Sequence, residues 1–323
     1  MQRKVAMTVA AALAWLGLLA HGPVQAQGTY PNKPIRWVVP YTAGGFTDVS
    51  TRLTLEKINL GQAFVVDNKP GANSLIGAEA VAKSPPDGYT FLTVIAAHAA
   101  NKTLYAGKLG FDPETSFAPV SVVGIAPLIL TVTNGLPVKT VGELIAYAKA
   151  NPGKISFGSS GIGAAAHLTS ELMKQVAGIQ MEHVPYKGTA PALADLVSGN
   201  IQMLTGGTTT MLPYIKNGQI RPLAITKRVS VASNIPTYGE QGYPTLDFNL
   251  WHGMIAPRGV PGDVVKRMNS ELDAALKSPD AAGRLAQDGV VAVGGSSEAF
   301  MATLRGEVKR WTDFIQRTGI KLE

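Results

Sequence analysis

No cysteine occurs in the 323 residues. That absence excludes disulfides, thiolate nucleophiles and cysteine-ligated metals, so the fold must be held by its core. Charge is sparse, at 16% Asp, Glu, Lys and Arg, and no cluster of Lys and Arg interleaved with aromatics appears, so no nucleic-acid partner is expected. Histidine is scarce too. There is no His-Glu-x-x-His motif, and His98, His167, His183 and His252 form no pair at helical ligand spacing. Neither a metal nor a cofactor is expected. No internal repeat, low-complexity tract or heptad is present.

Apolar runs are few: one opens the chain and another spans Pro119–Thr133. Met1-Gln2-Arg3-Lys4 is basic, Val5 to Ala20 is apolar, and Val24-Gln25-Ala26 is a small-residue cleavage site. This is the pattern of a secretory signal over residues 1–26, too short and wrongly flanked for a membrane span. A periplasmic location is expected. Removing Arg3 and Lys4 and no acid lowers the net charge from +7 to +5. A modest positive charge suits collecting small anions.

What is present is a repeated design. Ile35 to Val39 reads as a buried strand. Tyr41 to Phe46 follows as a loop, in which Gly44 and Gly45 let the backbone bend or approach a ligand closely. Thr47 or Asp48 then offers a cap to a helix carrying Val49, Leu53 and Ile58. The result is a helix N-terminus at the carboxyl end of a strand, which suits an anion; the plain alternative is an ordinary corner capped by Asp48. The chain makes the design again. Ile155 to Phe157 is strand-like, Gly158-Ser159-Ser160-Gly161-Ile162-Gly163 is the loop, and Ala164 to Val176 is helical. Two such loops suggest two lobes gripping one ligand.

In order, strands are expected at Phe64–Val66 and Tyr89–Ile95, with a helix over Ser74–Lys83. Strand and helix alternation predicts an α/β protein with mainly parallel sheets wrapped by helices. Ala96-Ala97-His98-Ala99-Ala100-Asn101 follows a strand directly and is a third candidate wall, with Ala97 and His98 facing the site. Pro119–Thr133 reads as the crossing between lobes. Thr140-Val141-Gly142-Glu143 is a capping box. Strands follow at Met181–Val184, Ile201–Leu204, Arg221–Thr226 and Leu250–Ile255. Thr205-Gly206-Gly207-Thr208-Thr209-Thr210 is either a surface turn or a polar wall offering Thr205 and Thr208. Helices are expected over Pro261–Leu276 and from about Glu298. Lobe one is assigned to 27–124 and 250–323, and lobe two to 125–249.

Three chemical readings compete. Ser159 or Ser160 sits on a strand-to-helix turn, but Gly158-Ser159-Ser160-Gly161-Ile162 misses the last glycine of a nucleophile elbow. Gly161-Ile162-Gly163-Ala164-Ala165-Ala166 fits Gly-x-Gly-x-x-Ala, and Glu182 follows at dinucleotide spacing, so an oxidoreductase is the alternative. An export signal opposes it. A non-catalytic binding protein uses the same physics without either chemistry. His167 is either satisfied within its helix or a ligand donor. Lys187, after Tyr186, is either solvated or a partner for a carboxylate. Phe46 is either core or an aromatic lining.

Together these residues resemble the periplasmic receptors of tripartite tricarboxylate transporters, the Bug family. The resemblance is carried by Tyr30-Pro31-x-x-Pro34-Ile35, Pro40-Tyr41-x-Ala43-Gly44-Gly45-x-x-Asp48, Asn68-Lys69-Pro70-Gly71-Ala72, Pro86-Asp87-Gly88-Tyr89-Thr90, His183-Val184-Pro185-Tyr186-Lys187-Gly188 and Trp251-x-Gly253-x-x-Ala256-Pro257. It implies a two-lobed Venus-flytrap fold, a small carboxylate ligand, delivery to a membrane permease, and a monomer. It also implies that backbone groups and ordered water hold the carboxylate at Tyr41–Asp48 and Ser159–His167. Many relatives carry an acid after the strand ending near Leu204, whereas this chain has Gly206. That departure disfavours an amino-acid ligand and favours a di- or tricarboxylate or an aromatic carboxylate, Phe46 leaning to the last. A thermal-shift assay with NAD is expected to give no change in melting temperature, and a shift of several degrees would restore the dinucleotide reading.

Overall fold

A computed structural model describes residues 30–246, 250–287 and 289–319. The proposed signal at 1–26 lies outside the described residues. Lys33 to Glu323 forms one compact unit. Its elements run β1 (Ile35–Val39), α1 (Phe46–Leu55), β2 (Phe64–Asn68), α2 (Leu75–Ala82), β3 (Thr90–Ile95), α3 (Ala96–Leu104), β4 (Phe117–Ala126) and β5 (Leu128–Thr133). Then come α4 (Val141–Ala150), β6 (Ser156–Ser159), α5 (Ala165–Ala177), β7 (Glu182–Pro185), α6 (Thr189–Ser198), β8 (Met203–Gly207), α7 (Thr208–Lys216) and β9 (Ile220–Ile225). Last are β10 (Leu250–Pro257), α8 (Gly262–Lys277), α9 (Pro279–Gln287), β11 (Val291–Gly294) and α10 (Ser297–Thr318).

The strands make two sheets, ordered β11-β4-β10-β3-β1-β2 and β7-β6-β8-β5-β9. Both are mixed, which corrects the mainly parallel expectation. β2, β1 and β3 are parallel, but β10 is antiparallel to β3 and β4, and β11 is antiparallel to β4. In the second sheet β7, β6 and β8 are parallel, and β5 is antiparallel to β8 and β9. The strands at the two crossings, β4 with β5 and β9 with β10, are antiparallel to their neighbours, and β11 adds a further antiparallel edge strand to the first sheet. β4 and β5 are separated only by Pro127, so a ten-residue and a six-residue strand that read as one apolar run belong to different sheets. The chain returns between β9 and β10. Thr226 clamps the crossing: its N–H donates to Leu128 O at 3.0 Å, and its Oγ1 accepts from Leu128 N at 2.9 Å.

Each sheet is covered on both faces. In the first, Trp37 stacks on Phe91 at 5.1 Å between centroids and donates its indole N–H to Thr93 Oγ1 at 2.8 Å. In the second, Leu144, Ile145, Phe157, Met173 and Leu223 pack on one face, and Ile129, Leu193, Leu196, Leu204 and Met211 on the other. The capping box appears in altered form. Thr140 Oγ1 accepts from Glu143 N at 3.1 Å, but the Glu143 carboxylate accepts from Lys139 N at 2.6 Å rather than from the cap residue.

The consequence for the site is geometric. β1, β3, β6, β7 and β8 all lie in the parallel portions, and each leads into a helix. Their carboxyl ends, and the N-termini of α1, α3, α5, α6 and α7, therefore gather on one edge of each sheet.

Gly253 of β10 marks the tightest packing in the first sheet. A Cβ there would meet Phe300 Cζ at 2.4 Å, and the ring is fully buried. Gly253→Ala is expected to lower unfolding stability by about 1–3 kcal/mol through overpacking, measured by urea denaturation; an unchanged midpoint would contradict this contact.

Candidate functional site

A cavity of about 50 Å³ lies between the sheets. From the first loop it is lined by Tyr41, Thr42, Gly45 and Thr47, and from the second by Ser160, Ala165 and Ala166. Gly188 and Thr189, at the start of α6, and Thr205, Gly206 and Gly207, at the end of β8, complete the polar wall. Ile95, Leu128 and Leu250 form an apolar side near the crossing strands. Among the described residues, none in the lining carries a charge.

The helices supply what the side chains lack. The N-caps of α1, α3, α5, α6 and α7 are Gly45, Ile95, Ala164, Gly188 and Gly207, and none makes a side-chain cap hydrogen bond. At each of these five helices the cap residue or a first-turn residue lines the cavity. Away from it, Thr140 and Ser296 do cap their helices, accepting from Glu143 N and Ala299 N. Side-chain caps are thus absent at the cavity, as they also are at Ser74 and Pro261 elsewhere, and Thr208 N–H at the start of α7 donates to Pro127 O at 3.2 Å; the positive end of each helix dipole lies behind the wall.

The first loop is held from behind. Asp48 does not cap α1, as the sequence suggested; the helix already starts at Phe46. Instead the buried Asp48 carboxylate accepts from Gly44 N at 3.0 Å, Asn68 Nδ2 at 2.9 Å and Arg52 Nε at 3.0 Å. Asn68 Nδ2 also donates to Tyr41 O at 3.0 Å. Burial alone pushes the Asp48 carboxyl up, but Arg52, the Gly44 N–H and Asn68 outweigh it and hold it below the usual carboxylate range. Tyr41 is half-buried with its hydroxyl enclosed near Ser74, and that burial raises the hydroxyl's pKa well above the ordinary value.

The second loop has an equivalent brace. Ser159 Oγ lies 2.7 Å from His183 Nε2 and 3.0 Å from Gly161 O, and it accepts from Gly161 N at 3.2 Å. His183 stacks between Phe157 at 4.9 Å and His167 at 4.0 Å. His167 Nδ1 accepts from Gly163 N at 3.0 Å, so the neutral ring carries its proton on Nε2. Burial lowers His167 to about 3, helped by the charges of His183 and Lys174, and lowers His183 to about 4, helped by Lys174.

Of the residues singled out in the sequence, Tyr41, Gly45, Thr47, Ser160 and Thr205 meet at the cavity. Several are placed elsewhere. Ala96–Asn101 is the first part of a helix; Ala97 is buried inside it, and His98 turns into a cluster with Phe111 and Phe117, its Nε2 2.8 Å from Pro113 O. Ala43 and Gly44 are exposed at the tip of the first loop. The side chain of Phe46 lies outside the described residues. Ser159, Gly161, Gly163, His167 and Asp48 form the layer behind the loops. Tyr186 donates its hydroxyl to Asp195 Oδ2 at 2.6 Å, on its own lobe, and burial together with that carboxylate raises it to about 12. Lys187 is exposed. Thr208 faces the crossing, donating to Gly289 O at 3.2 Å.

Residues missed from the sequence are Thr42, Ile95, Leu128, Ala165, Ala166, Gly188, Thr189, Gly206, Gly207 and Leu250. Gly188 and Thr189 were within reach, since Pro191 in a first helical turn marks the helix start beside them. The dinucleotide reading fails sterically. Its second glycine, Gly163, must leave room for a pyrophosphate, but a Cβ there would lie 2.4 Å from Leu104 Cδ1 and 2.8 Å from Asn73 Nδ2 of the other lobe. Glu182 is exposed on the edge strand β7.

Comparison with known proteins agrees with this geometry. The family model described as Tripartite tricarboxylate transporter family receptor matches residues 51–320. BugT of Bordetella pertussis is 33% identical over 93% of this chain and 94% of its own length. Among solved structures, an R. palustris protein with adipate is 37% identical with a TM-score of 0.86, covering 90% of this chain and 99% of that one. The malate-bound MatC of Rhodopseudomonas palustris is 27% identical with a TM-score of 0.83, covering 88% and 100%. These neighbours share the two-lobed architecture of periplasmic binding proteins, which this chain adopts.

The buried histidines set an acid limit. His98 and His183 are lowered to about 4, and His167 and His252 to about 3, chiefly by burial. An unfolded histidine binds its proton near pH 6.5. Between those values the unfolded chain holds more protons than the folded one, so stability falls as pH drops from about 6.5 toward 4. Urea midpoints measured from pH 7.5 to 4.5 are expected to decline steadily, and a flat profile would show that these rings are not buried neutral.

Proposed function

Because this chain belongs to the tripartite tricarboxylate transporter receptor family, we propose that it is a periplasmic receptor that closes its two lobes on a small carboxylate without an ammonium group and passes it, unchanged, to a membrane permease. The lobes are taken as 27–124 with 250–323, and 125–249. The receptor works as a monomer after export and loss of residues 1–26.

One observation carries this reading: five helix N-termini, none capped by a side chain, meet at a cavity that no charged side chain among the described residues lines. Such a wall attracts negative charge and offers an ammonium group no counter-charge. Ser160, Thr47, Thr189 and Thr205 supply hydroxyls that orient the carboxylates. The apolar strip of Ile95, Leu128 and Leu250 suits an aliphatic spacer. The cavity is far smaller than the roughly 300–1,000 Å³ of drug-sized sites, which favours a compact aliphatic acid over an aromatic one.

Catalysis has no support at Ser159, the one hydroxyl paired with an imidazole here. It is fully buried, and Gly161 O and His183 both hold it. The neighbours solved with adipate and with malate support the carboxylate class.

Isothermal titration with malate, adipate, citrate, terephthalate and aspartate tests the ligand class. Malate or adipate is expected to bind in the micromolar range, with aspartate and terephthalate at least about tenfold weaker. Ser160→Ala and Thr205→Ala should each weaken the best ligand by about fivefold, the worth of one hydrogen bond, without moving the melting temperature. Tight aspartate binding would overturn the reading.

A further inference from the structure

The lobes touch outside the cavity lining, at the contact of Gly163 with Leu104 and Asn73. Between β2 and α2 the chain makes a turn in which Ala72, Asn73 and Ser74 have φ of 45°, 50° and 76°. Three consecutive non-glycine residues in the left-handed region need outside support. Asn101 of α3 provides it, donating from Nδ2 to Asn73 O at 2.8 Å and accepting from Asn73 Nδ2 at 2.9 Å. Both asparagines are buried. The turn and Leu104, at the end of α3, make a rigid seat on lobe one.

Gly163 of lobe two sits in that seat. A Cβ on it would be 2.4 Å from Leu104 Cδ1 and 2.8 Å from Asn73 Nδ2. The seat contributes little attraction: Asn73 Oδ1 is buried there without a hydrogen-bond partner. It is therefore a contact of shape. Gly163 is also two residues before Ala165, which lines the cavity, and its N–H is fixed to His167 Nδ1. Any displacement at Gly163 is passed directly to the ligand-facing start of α5.

We propose that Gly163, seated against Asn73 and Leu104, is the stop that sets how far the lobes close, and that the missing Cβ sets the width of the cavity and so the upper size of its ligand. This rests on the receptor reading only for the ligands used to drive closure. The φ of 79° at Gly163 favours glycine by itself; the seat adds that a side chain at 163 presses on Leu104 and Asn73 of the other lobe. A wider cavity then loses contact with short acids before long or bulky ones.

The absence of cysteine makes the test direct. Spin labels on cysteines placed at Lys83 of lobe one and Lys149 of lobe two, both exposed, report the distance between lobes by pulsed electron resonance, with and without malate, adipate, citrate and terephthalate. Gly163→Ala is expected to lengthen the shortest populated distance, to weaken malate by about tenfold or more, and to shift preference toward the larger acids. Leu104→Phe fills the same seat from lobe one, leaves the glycine's backbone alone, and should act in the same direction. Adding Leu104→Ala to Gly163→Ala should restore most of the closure and of the malate affinity. Backbone strain at 163 would not respond to a change on the other lobe. An unchanged shortest distance in both single variants, or no recovery in the double variant, would overturn the stop. If no acid in the panel binds, the receptor reading fails, and the distances measured without ligand still decide the stop.

Discussion

The site depends on helix N-termini that carry no side-chain cap. A helix ordinarily satisfies its first N–H groups with a cap, as Thr140 and Ser296 do here. At the cavity, five helices begin on Gly45, Ile95, Ala164, Gly188 and Gly207, four of which have no side-chain acceptor at all and the other, Ile95, none that is polar. One exposed helix end is worth about 0.3–1 kcal/mol to an anion, and up to ~2 when partly buried. Micromolar binding needs about 8 kcal/mol net. Two ends fall well short. Five partly buried ends reach that range before the cost of immobilising ligand and lobes, and the hydroxyls and exclusion of water supply the margin.

The mixed sheets follow from the same requirement. A helix N-terminus lands at the ligand only if the strand before it runs toward the cavity, so the five delivering strands must be parallel within their sheets. The strands that carry the chain across, β4, β5 and β10, run antiparallel to their neighbours, because they serve the connection between lobes rather than the site. Pro127 gives the crossing a break in a continuous apolar run. Leu128 and Leu250 then place an apolar surface beside the cavity where the two crossings pass.

The two glycine loops were legible in the sequence because strand, small residues and helix lie side by side in the chain. What holds them was not. Asn68 braces Tyr41 and Asp48 across 27 and 20 residues, and His183 braces Ser159 across 24. Read locally, Asp48 looks like a cap and His183 like an ordinary strand residue. The segments after Ile95 and Leu204 were misread for another reason. A helix that starts directly after a strand has no turn signal, so neither Ala96–Asn101 nor Thr208–Thr210 was assigned to one, although Thr205 does line the cavity. His98 shows the limit of position as evidence: its place after a strand suggested a ligand donor, while Phe111 and Phe117 draw it into the core.

Preorganisation and closure are separate tasks, and the residues divide between them. Asp48, Arg52 and Asn68 fix one loop, and Ser159, His167 and His183 fix the other, whether or not the lobes meet, because each network lies within one lobe. Apart from the hydrogen bond from Thr208 to Gly289 O beside the Pro127 crossing, the contacts between lobes named above involve glycines instead: Gly163 against Leu104 and Asn73, and Gly188, whose missing Cβ would lie 2.9 Å from Thr42 Oγ1. Polar networks suit the first task, since a buried group whose hydrogen bonds are all made resists displacement. They would hinder the second, because a strong inter-lobe bond would hold the empty receptor shut. Bare backbone against side chain gives close fit with little adhesion, which leaves the ligand to supply the free energy that keeps the lobes together.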